Sequence, residues 1–313
     1  MDDHKLYGYQ AEGSLQEPQN ALTRRFTQAE WDVLKRFRPL LPEVRRIASG
    51  GDTPKTISLW GITIDPLDPA ADPRASVVLM KFLRARKLDV GAAKALLIEV
   101  LRWRQQVNID DIMTKKFAGP RIPQVYFGKD KAGNAVLYTL ACADPTPIWA
   151  EMEADSKAFI ERMAHNLEIR ARSLDFETTD RISSVTDMAM MSGGNSVNTK
   201  WLQNGTVLRV SREYYPDFSA YRFGVNAPFP LASNGWFSSL FVARTPGNNP
   251  GKIQFVGKGA KTIAKKLSEV IDLAELPEQF GGRATGFRWN PEGRDVPQAG
   301  APGSNIAGVD NRG

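Results

Sequence analysis

The sequence predicts an α/β fold in which a mainly parallel sheet is covered by helices and preceded by a helical lobe. Three observations carry that reading. Between residues 27 and 110, apolar residues recur at helical spacing behind recognisable caps. Beyond residue 134, short apolar runs of strand length alternate with helical stretches, as in a parallel sheet with crossover helices. From Phe229 to Val242, large apolar side chains crowd a short helical stretch interrupted by serine and asparagine.

Residues 1–26 are polar, show no sustained periodicity and are expected to form a flexible leader, mobile or loosely docked. At Thr27-Gln28-Ala29-Glu30 the hydroxyl and the carboxylate can satisfy free amide hydrogens, which predicts a helix from about Gln28 to Ile47, ending at Ser49-Gly50-Gly51. Asp65-Pro66-Leu67-Asp68-Pro69 marks a connection. Val77, Val78, Phe82 and Leu83 then place a helix over 75–86, and Asp89 caps another that carries Ala93, Leu97, Val100 and Leu101 on one side. The pair makes a hairpin with a basic elbow. Gly128 to Gly133 is rich in turn formers, and Ala135 to Leu140 reads as a buried strand. A helix through Phe159, Met163 and Leu167 follows, then a strand from Ile182 to Met188, a helix from about Ser196 to Glu213 and a strand ending at Val225. An apolar helix near Ser233 to Val242 and the strand Ile253 to Val256 complete the series. Past Phe287 the chain is rich in proline and glycine, and residues 288–313 are expected to be a disordered tail. The expected organisation is a leader (1–26), a helical lobe (27–110), a sheet domain (111–287) and a tail (288–313).

A hydrophobic fraction of 42% with 24% charged residues predicts a packed core. The single cysteine, Cys142, cannot form an internal disulfide, and the polar opening Met1-Asp2-Asp3-His4-Lys5 does not begin a secretory signal, so a reducing, cytoplasmic setting is expected. No apolar run approaches the roughly 20 residues needed to span a bilayer, and membrane contact is expected to be peripheral. A net charge of +6 favours anionic surfaces. Zinc-knuckle spacing, an Arg/Gly-rich arm and an aromatic RNA-binding strand are all missing from the sequence, which points away from nucleic acid.

Catalytic constellations fail one by one. Gly247-Asn248-Asn249-Pro250-Gly251-Lys252 resembles a phosphate-binding loop, but it is one residue short, lacks the serine or threonine that would meet magnesium, and precedes a strand instead of following one. Lys252 remains a point charge that can pair with some other phosphate. Only His4 and His165 are available as bases, no nucleophile elbow accompanies them, and one cysteine cannot complete a usual zinc set. The expectation is a protein without covalent chemistry. Met188 and Met190, with Met191 beside them, suit an irregular apolar cavity as well as an ordinary core. Together with Phe229, Trp236, Phe237, Leu240 and Phe241 they suggest a lid over an apolar pocket.

Several ordered segments are similar to those of the CRAL-TRIO lipid-transfer proteins, especially the fungal phosphatidylinositol transfer proteins. They run from Leu79-Met80-Lys81-Phe82-Leu83-Arg84-Ala85-Arg86-Lys87-Leu88-Asp89-Val90 through Leu101-Arg102-Trp103-Arg104, Tyr214-Tyr215-Pro216-Asp217 and Asn226-Ala227-Pro228-Phe229 to Leu276-Pro277-Glu278-Gln279-Phe280-Gly281-Gly282. The resemblance implies a sheet flooring a lipid-sized hydrophobic pocket, an N-terminal helical lobe and an apolar gate helix over Phe229 to Val242. It assigns the phosphatidylinositol headgroup to Arg86, Lys87, Asp217 and Lys252, with Asn249 where the family carries a threonine. Cations would neutralise the phosphate while the carboxylate accepts bonds from inositol hydroxyls. Of two hydroxyl-bearing strand residues that meet choline lipids, the first is Ile182 here and Ser184 keeps its hydroxyl. The implied partners are phosphatidylinositol or a similar phospholipid, a transient anionic membrane surface and a lipid kinase. Ser58-Leu59-Trp60-Gly61-Ile62 and Gly235-Trp236 look most like a branch that includes haem-binding members, yet its His and Tyr are Thr186 and Met188 here. Haem is therefore the alternative ligand, with His165 or Met188 as substitute ligands; no other cofactor is expected.

Overall fold

In the computed structural model, which describes residues 17–51, 56–117, 123–141, 146–189, 209–210, 213–227 and 253–287, the segment ahead of the first helix is docked. Leu22 and Phe26 are buried, Asn20 donates its Nδ2 to the Phe176 carbonyl at 2.8 Å, and Arg38 pairs with Glu17. Residues 17–26 of the expected leader are held down: two buried apolar residues anchor the segment, too few to register as a periodic pattern. Helix α1 (Gln28–Phe37) begins with the expected capping box, Glu30 N donating to the Thr27 hydroxyl at 3.2 Å and Thr27 N to Glu30 Oε2 at 2.9 Å. The single helix expected to reach Ile47 is broken by a 3-10 turn at Arg38–Leu40, and α2 runs over Leu41–Ser49. Pro39 and Pro42 cause the break, because each lacks an amide hydrogen and fits only the first turn of a new helix. A small hairpin of β1 (Ile57–Leu59) and β2 (Ile62–Ile64) follows, with strands too short to show alternation in the sequence. Helix α3 (Pro73–Ala85) is capped by Asp72, and α4 (Val90–Gln106) by Asp89, which accepts from Ala92 N at 2.8 Å. The short α5 (Ile109–Thr114), unanticipated from the sequence, closes the lobe.

Among the described residues, five strands form the main sheet in sequence order: β3 (Gln124–Lys129), β4 (Ala135–Thr139), β5 (Ile182–Asp187), β6 (Ser219–Val225) and β7 (Ile253–Phe255). Only β3 and β4 are antiparallel; the other pairs are parallel, as the alternation of strands and helices predicts. Helices α6 (Thr146–Ala154) and α7 (Ser156–Arg172) lie between β4 and β5, and α8 (Ala260–Leu267) follows β7. The expected helices at 196–213 and 233–242 lie outside the described residues apart from 209–210, which are helical, and Glu213, whose amide donates to the Arg209 carbonyl at 2.8 Å.

Register sorts the side chains onto two faces. Val136, Tyr138, Val185, Phe223 and Val225 form the outer face and pack against Ile263 and Leu267 of α8, with Ile271, Leu276, Phe280 and Phe287 beyond it. Tyr138 stacks on Phe280 with ring centres 5.4 Å apart. Each such fully buried side chain contributes roughly 1.5–3 kcal/mol. Leu137 and Ile182 point the other way, into a core shared with Ala164 and Ala171 of α7 and with the helical lobe. Gly128 makes the β3 bulge possible: its φ is +64°, and a Cβ there would stand 2.7 Å from the Glu275 carbonyl oxygen.

One buried polar knot joins α4, α7 and the Tyr214-Tyr215-Pro216 segment. Arg104 donates through both Nη atoms to the two oxygens of the fully buried Glu168, at 2.7 and 2.8 Å. The Tyr215 hydroxyl donates to Glu168 at 3.0 Å and Arg172 Nε at 2.8 Å. Burial works to raise the Glu168 carboxyl, but the bonds and charges of Arg104 and Arg172 outweigh it and hold the group below its ordinary value. A carboxyl depressed in the folded state stabilises fully above its unfolded pKa of about 4.3 and loses that contribution as pH falls through the folded value. Glu168→Gln is expected to cost about 3–5 kcal/mol in urea unfolding at neutral pH, because it leaves Arg104 buried without its counter-charge. The gap between wild type and variant is expected to shrink as pH falls from about 5 towards 3; a gap that widens on acidification would refute this account.

Candidate ligand-binding site

The inner face of the sheet changes character from β4 towards β6. Strand pairing sets Leu137, Ser184 and Arg222 in one row, and Thr139, Thr186 and Gly224 in the next. Ser184, Thr186, Thr139 and Arg222 are half-buried, in contrast to the sealed outer face. A register shift in β6 brings Ser219 and Arg222 onto the same side, so Arg222 Nε donates to the Ser219 hydroxyl at 2.8 Å despite a spacing of three. Ser184 itself makes one long contact, from its hydroxyl to the Tyr221 carbonyl at 3.5 Å. At the strand ends Met188 packs with Ala227 and Phe255 in a small separate cluster. Gly224 admits that contact: a Cβ on it would stand 2.6 Å from the Met188 sulfur and 2.9 Å from the Phe255 ring.

The expected basic pair lies at the C-terminal end of α3. Lys87 N donates to the Arg84 carbonyl at 3.2 Å and Leu88 N to the Leu83 carbonyl at 2.8 Å, the two bonds of a Schellman turn. Lys87 takes the left-handed position (φ +54°) that glycine usually fills, and Leu88 follows at +66°. Lys87 is exposed and Arg86 half-buried, with Arg86 Nη1 donating to the Ala85 carbonyl at 3.3 Å.

Asp217, at φ +55°, belongs to a chain of buried and half-buried charges. Its carboxylate pairs with Arg181, and its carbonyl accepts from Lys81 Nζ at 3.2 Å. Lys81 is fully buried, donates to Asp180 Oδ2 at 3.0 Å and lies 4.5 Å from the centre of the Phe218 ring. Burial pushes the Lys81 amine below its ordinary value even though Asp180 and Asp217 support its charge. Lys81 lies within α3 and Arg86 and Lys87 directly follow its last residue, so the one helix positions both the buried lysine and the basic pair. Sequence reasoning missed Lys81, Asp180, Arg181 and Arg222. The one available signal was a lysine inside the apolar run Val77-Val78-Leu79-Met80-Lys81-Phe82-Leu83.

Met190, Phe229, Trp236, Phe237, Leu240, Phe241, Asn249 and Lys252 lie outside the described residues, as does the proposed gate. The two substitute haem ligands belong to different surroundings: His165 tilts against Phe117 from α7, whereas Met188 is in the cluster at the end of β5. Among the described residues no group of three or more His, Cys, Asp or Glu side chains could hold a metal ion, and no helix is long and apolar enough to cross a membrane.

A family model described as the CRAL/TRIO domain matches residues 121–282, just over half of the chain. Patellin-3 of Arabidopsis thaliana is 25% identical over 278 residues, which cover 86% of this chain and 54% of Patellin-3. The phosphatidylinositol transfer protein sfh5 of Sclerotinia sclerotiorum is 25% identical over 290 residues, covering 85% of this chain and 66% of that protein. The chain thus spans between about half and two thirds of these curated relatives. The crystal structure of Sfh5 shares the fold with a TM-score of 0.59 at 20% identity, covering 82% of this chain and 88% of that one.

Two substitutions probe this geometry. Lys87→Gly relieves the left-handed strain and is expected to leave stability unchanged or raise it by up to about 1 kcal/mol in urea unfolding; a loss of that size would mean that the lysine side chain holds the fold. Gly224→Ala forces the Met188 and Phe255 side chains apart and is expected to cost about 1–3 kcal/mol in the same measurement.

Proposed function

This chain belongs to the CRAL/TRIO domain family, and from that premise we propose that it is a phosphatidylinositol-binding and transfer protein that sequesters one lipid over the inner face of its sheet. The observation that carries this reading is the asymmetry of the sheet. Apolar side chains and α8 seal the outer face, while hydroxyls, a guanidinium and a methionine line the half-buried inner face between β5 and β6. Acyl chains would contribute roughly 0.8 kcal/mol for each methylene withdrawn from water. Arg86, Lys87, Asp217, Asn249 and Lys252 are the proposed headgroup set, with the cations meeting phosphate and the carboxylate meeting hydroxyls. Ser184 and Met188 belong to the floor, and Met190, Phe229, Trp236, Phe237, Leu240 and Phe241 to the wall and gate. The carrier performs no covalent step: it opens at an anionic membrane surface, exchanges its lipid and closes, or presents the lipid to a lipid kinase. A cytoplasmic protein with peripheral membrane contact fits that cycle, and the net charge of +6 supports approach to anionic headgroups.

Native mass spectrometry of the purified full chain is expected to show one bound phospholipid per molecule. Lys87→Ala combined with Lys252→Ala is expected to abolish phosphatidylinositol transfer between vesicles while leaving the urea midpoint in place. Undiminished transfer by the double variant would defeat the headgroup assignment, and a lipid-free protein would defeat the carrier.

A further inference from the structure

Helix α8, which seals the outer face of the sheet, turns a row of cations to water. Ile263 and Leu267 pack inward against the strands. A second side of the helix is closed by the Gly281 backbone, where a Cβ would stand 2.8 Å from the Ala264 methyl. Lys261 and Lys265 occupy the exposed side one turn apart, and Lys258, in the loop between β7 and α8, is exposed as well. Among the described residues none of the three meets a carboxylate, whereas their half-buried neighbour Lys266 pairs with Glu269 at 2.6 Å.

The placement of these lysines works against the helix that carries them. The first turn of α8 contains no acidic residue and its N-cap, Gly259, offers no side-chain acceptor, so Lys258 and Lys261 add charge to the positive end of the helix dipole. Lys261 and Lys265, four residues apart, repel each other. Charges left uncompensated within the fold are compensated by an anionic surface outside it. The chemistry of that surface follows from what the patch lacks. Leu67, between β2 and α3, is the one exposed large apolar side chain among the described residues, so no apolar anchor accompanies the lysines. Protein interfaces draw their energy from such buried anchors, whereas an anionic bilayer holds clustered lysines by charge alone.

The patch also lies at a useful edge. Strand β7 ends at Phe255, three residues before Lys258, and Phe255 packs with Met188 and Ala227 where β5 and β6 end. The lysines and the thioether end of the inner face therefore share the C-terminal edge of the parallel strands. We infer that Lys258, Lys261 and Lys265 form a docking surface for an anionic lipid bilayer, which holds this edge of the sheet against the membrane. The contact requires negative charge at the bilayer surface and no particular headgroup. Its use, bringing the apolar end of the floor to the lipids it exchanges, rests on the carrier reading; the contact itself does not.

Flotation of the full chain with phosphatidylcholine vesicles, with and without phosphatidylserine, tests the surface. Binding is expected only with phosphatidylserine, and is expected to disappear as salt rises from about 50 mM to about 500 mM. Each lysine near an anionic surface is worth roughly fivefold in partitioning, so the triple variant K258Q/K261Q/K265Q is expected to partition on the order of a hundredfold less, with its urea midpoint unchanged or raised. K258R/K261R/K265R, which keeps the charge, is expected to bind as the wild type does. The surface is overturned if the folded wild type ignores phosphatidylserine, if the glutamine variant partitions within about twofold of wild type, or if the arginine variant also loses binding. A glutamine variant that keeps vesicle binding but loses affinity for a DNA duplex assayed in parallel would assign the lysines to nucleic acid and likewise end the proposal. Native mass spectrometry separates this inference from the carrier: a lipid-loaded chain that ignores phosphatidylserine defeats the docking surface alone, and a lipid-free chain that floats through its lysines defeats the carrier alone.

Discussion

The rest of the architecture depends on a carboxylate taken wholly out of water. Glu168 is fully buried, and its two oxygens receive Arg104 from α4, Arg172 from its own helix and the Tyr215 hydroxyl from the segment leading into β6. A buried charge is tolerated only when every partner is in place, so the knot has one acceptable geometry. It therefore fixes the helical lobe against α7 and sets where β6 begins. Around it, Trp103 stacks on Tyr214 at 4.4 Å, and Trp60 packs edge-on to Phe218 at 4.6 Å, which extends the same constraint into apolar contact.

That registration has consequences on both sides of the sheet. With the lobe fixed, Lys81 of α3 meets Asp180 and the Asp217 carbonyl, and the chain of alternating charges running on to Arg181 and Glu30 follows. The exposed Lys87 at the end of α3 and the contact of Arg84 with the Phe26 ring are thus two outputs of one helix position. The strained left-handed residues Lys87, Leu88 and Asp217 cluster on this assembly, where surrounding contacts over-determine the backbone.

The sheet supplies the second constraint. Its outer face is filled by α8 and the Phe280 and Phe287 rings, which leaves the inner face as the less covered one among the described residues. There the bulge in β6 turns Ser219 and Arg222 to one side, and Gly224 lets Met188 and Phe255 close the far end. This floor is polar at one end and thioether-lined at the other, which matches the two-ended ligand proposed above.

By itself the sequence determined whatever short-range pattern controls: the capping box at Thr27, the Asp89 cap, the strands at 135, 182 and 253, and the parallel character of the sheet. It also brought the basic pair Arg86 and Lys87 to attention through a motif. The β1–β2 hairpin, the buried anchoring of residues 17–26 and the break at Pro39 and Pro42 were lost, the first two because too few residues carry the signal and the third because helical spacing persists across the turn. The tertiary structure alone decided the site's partnerships. Asp217 meets Arg181 across 36 residues, Lys81 meets Asp180 across 99, and Arg104 meets Glu168 across 64. Local pattern records which face of an element avoids water, whereas the pairing of charges depends on which elements the fold brings within a few ångströms, and no periodicity in the chain encodes that distance.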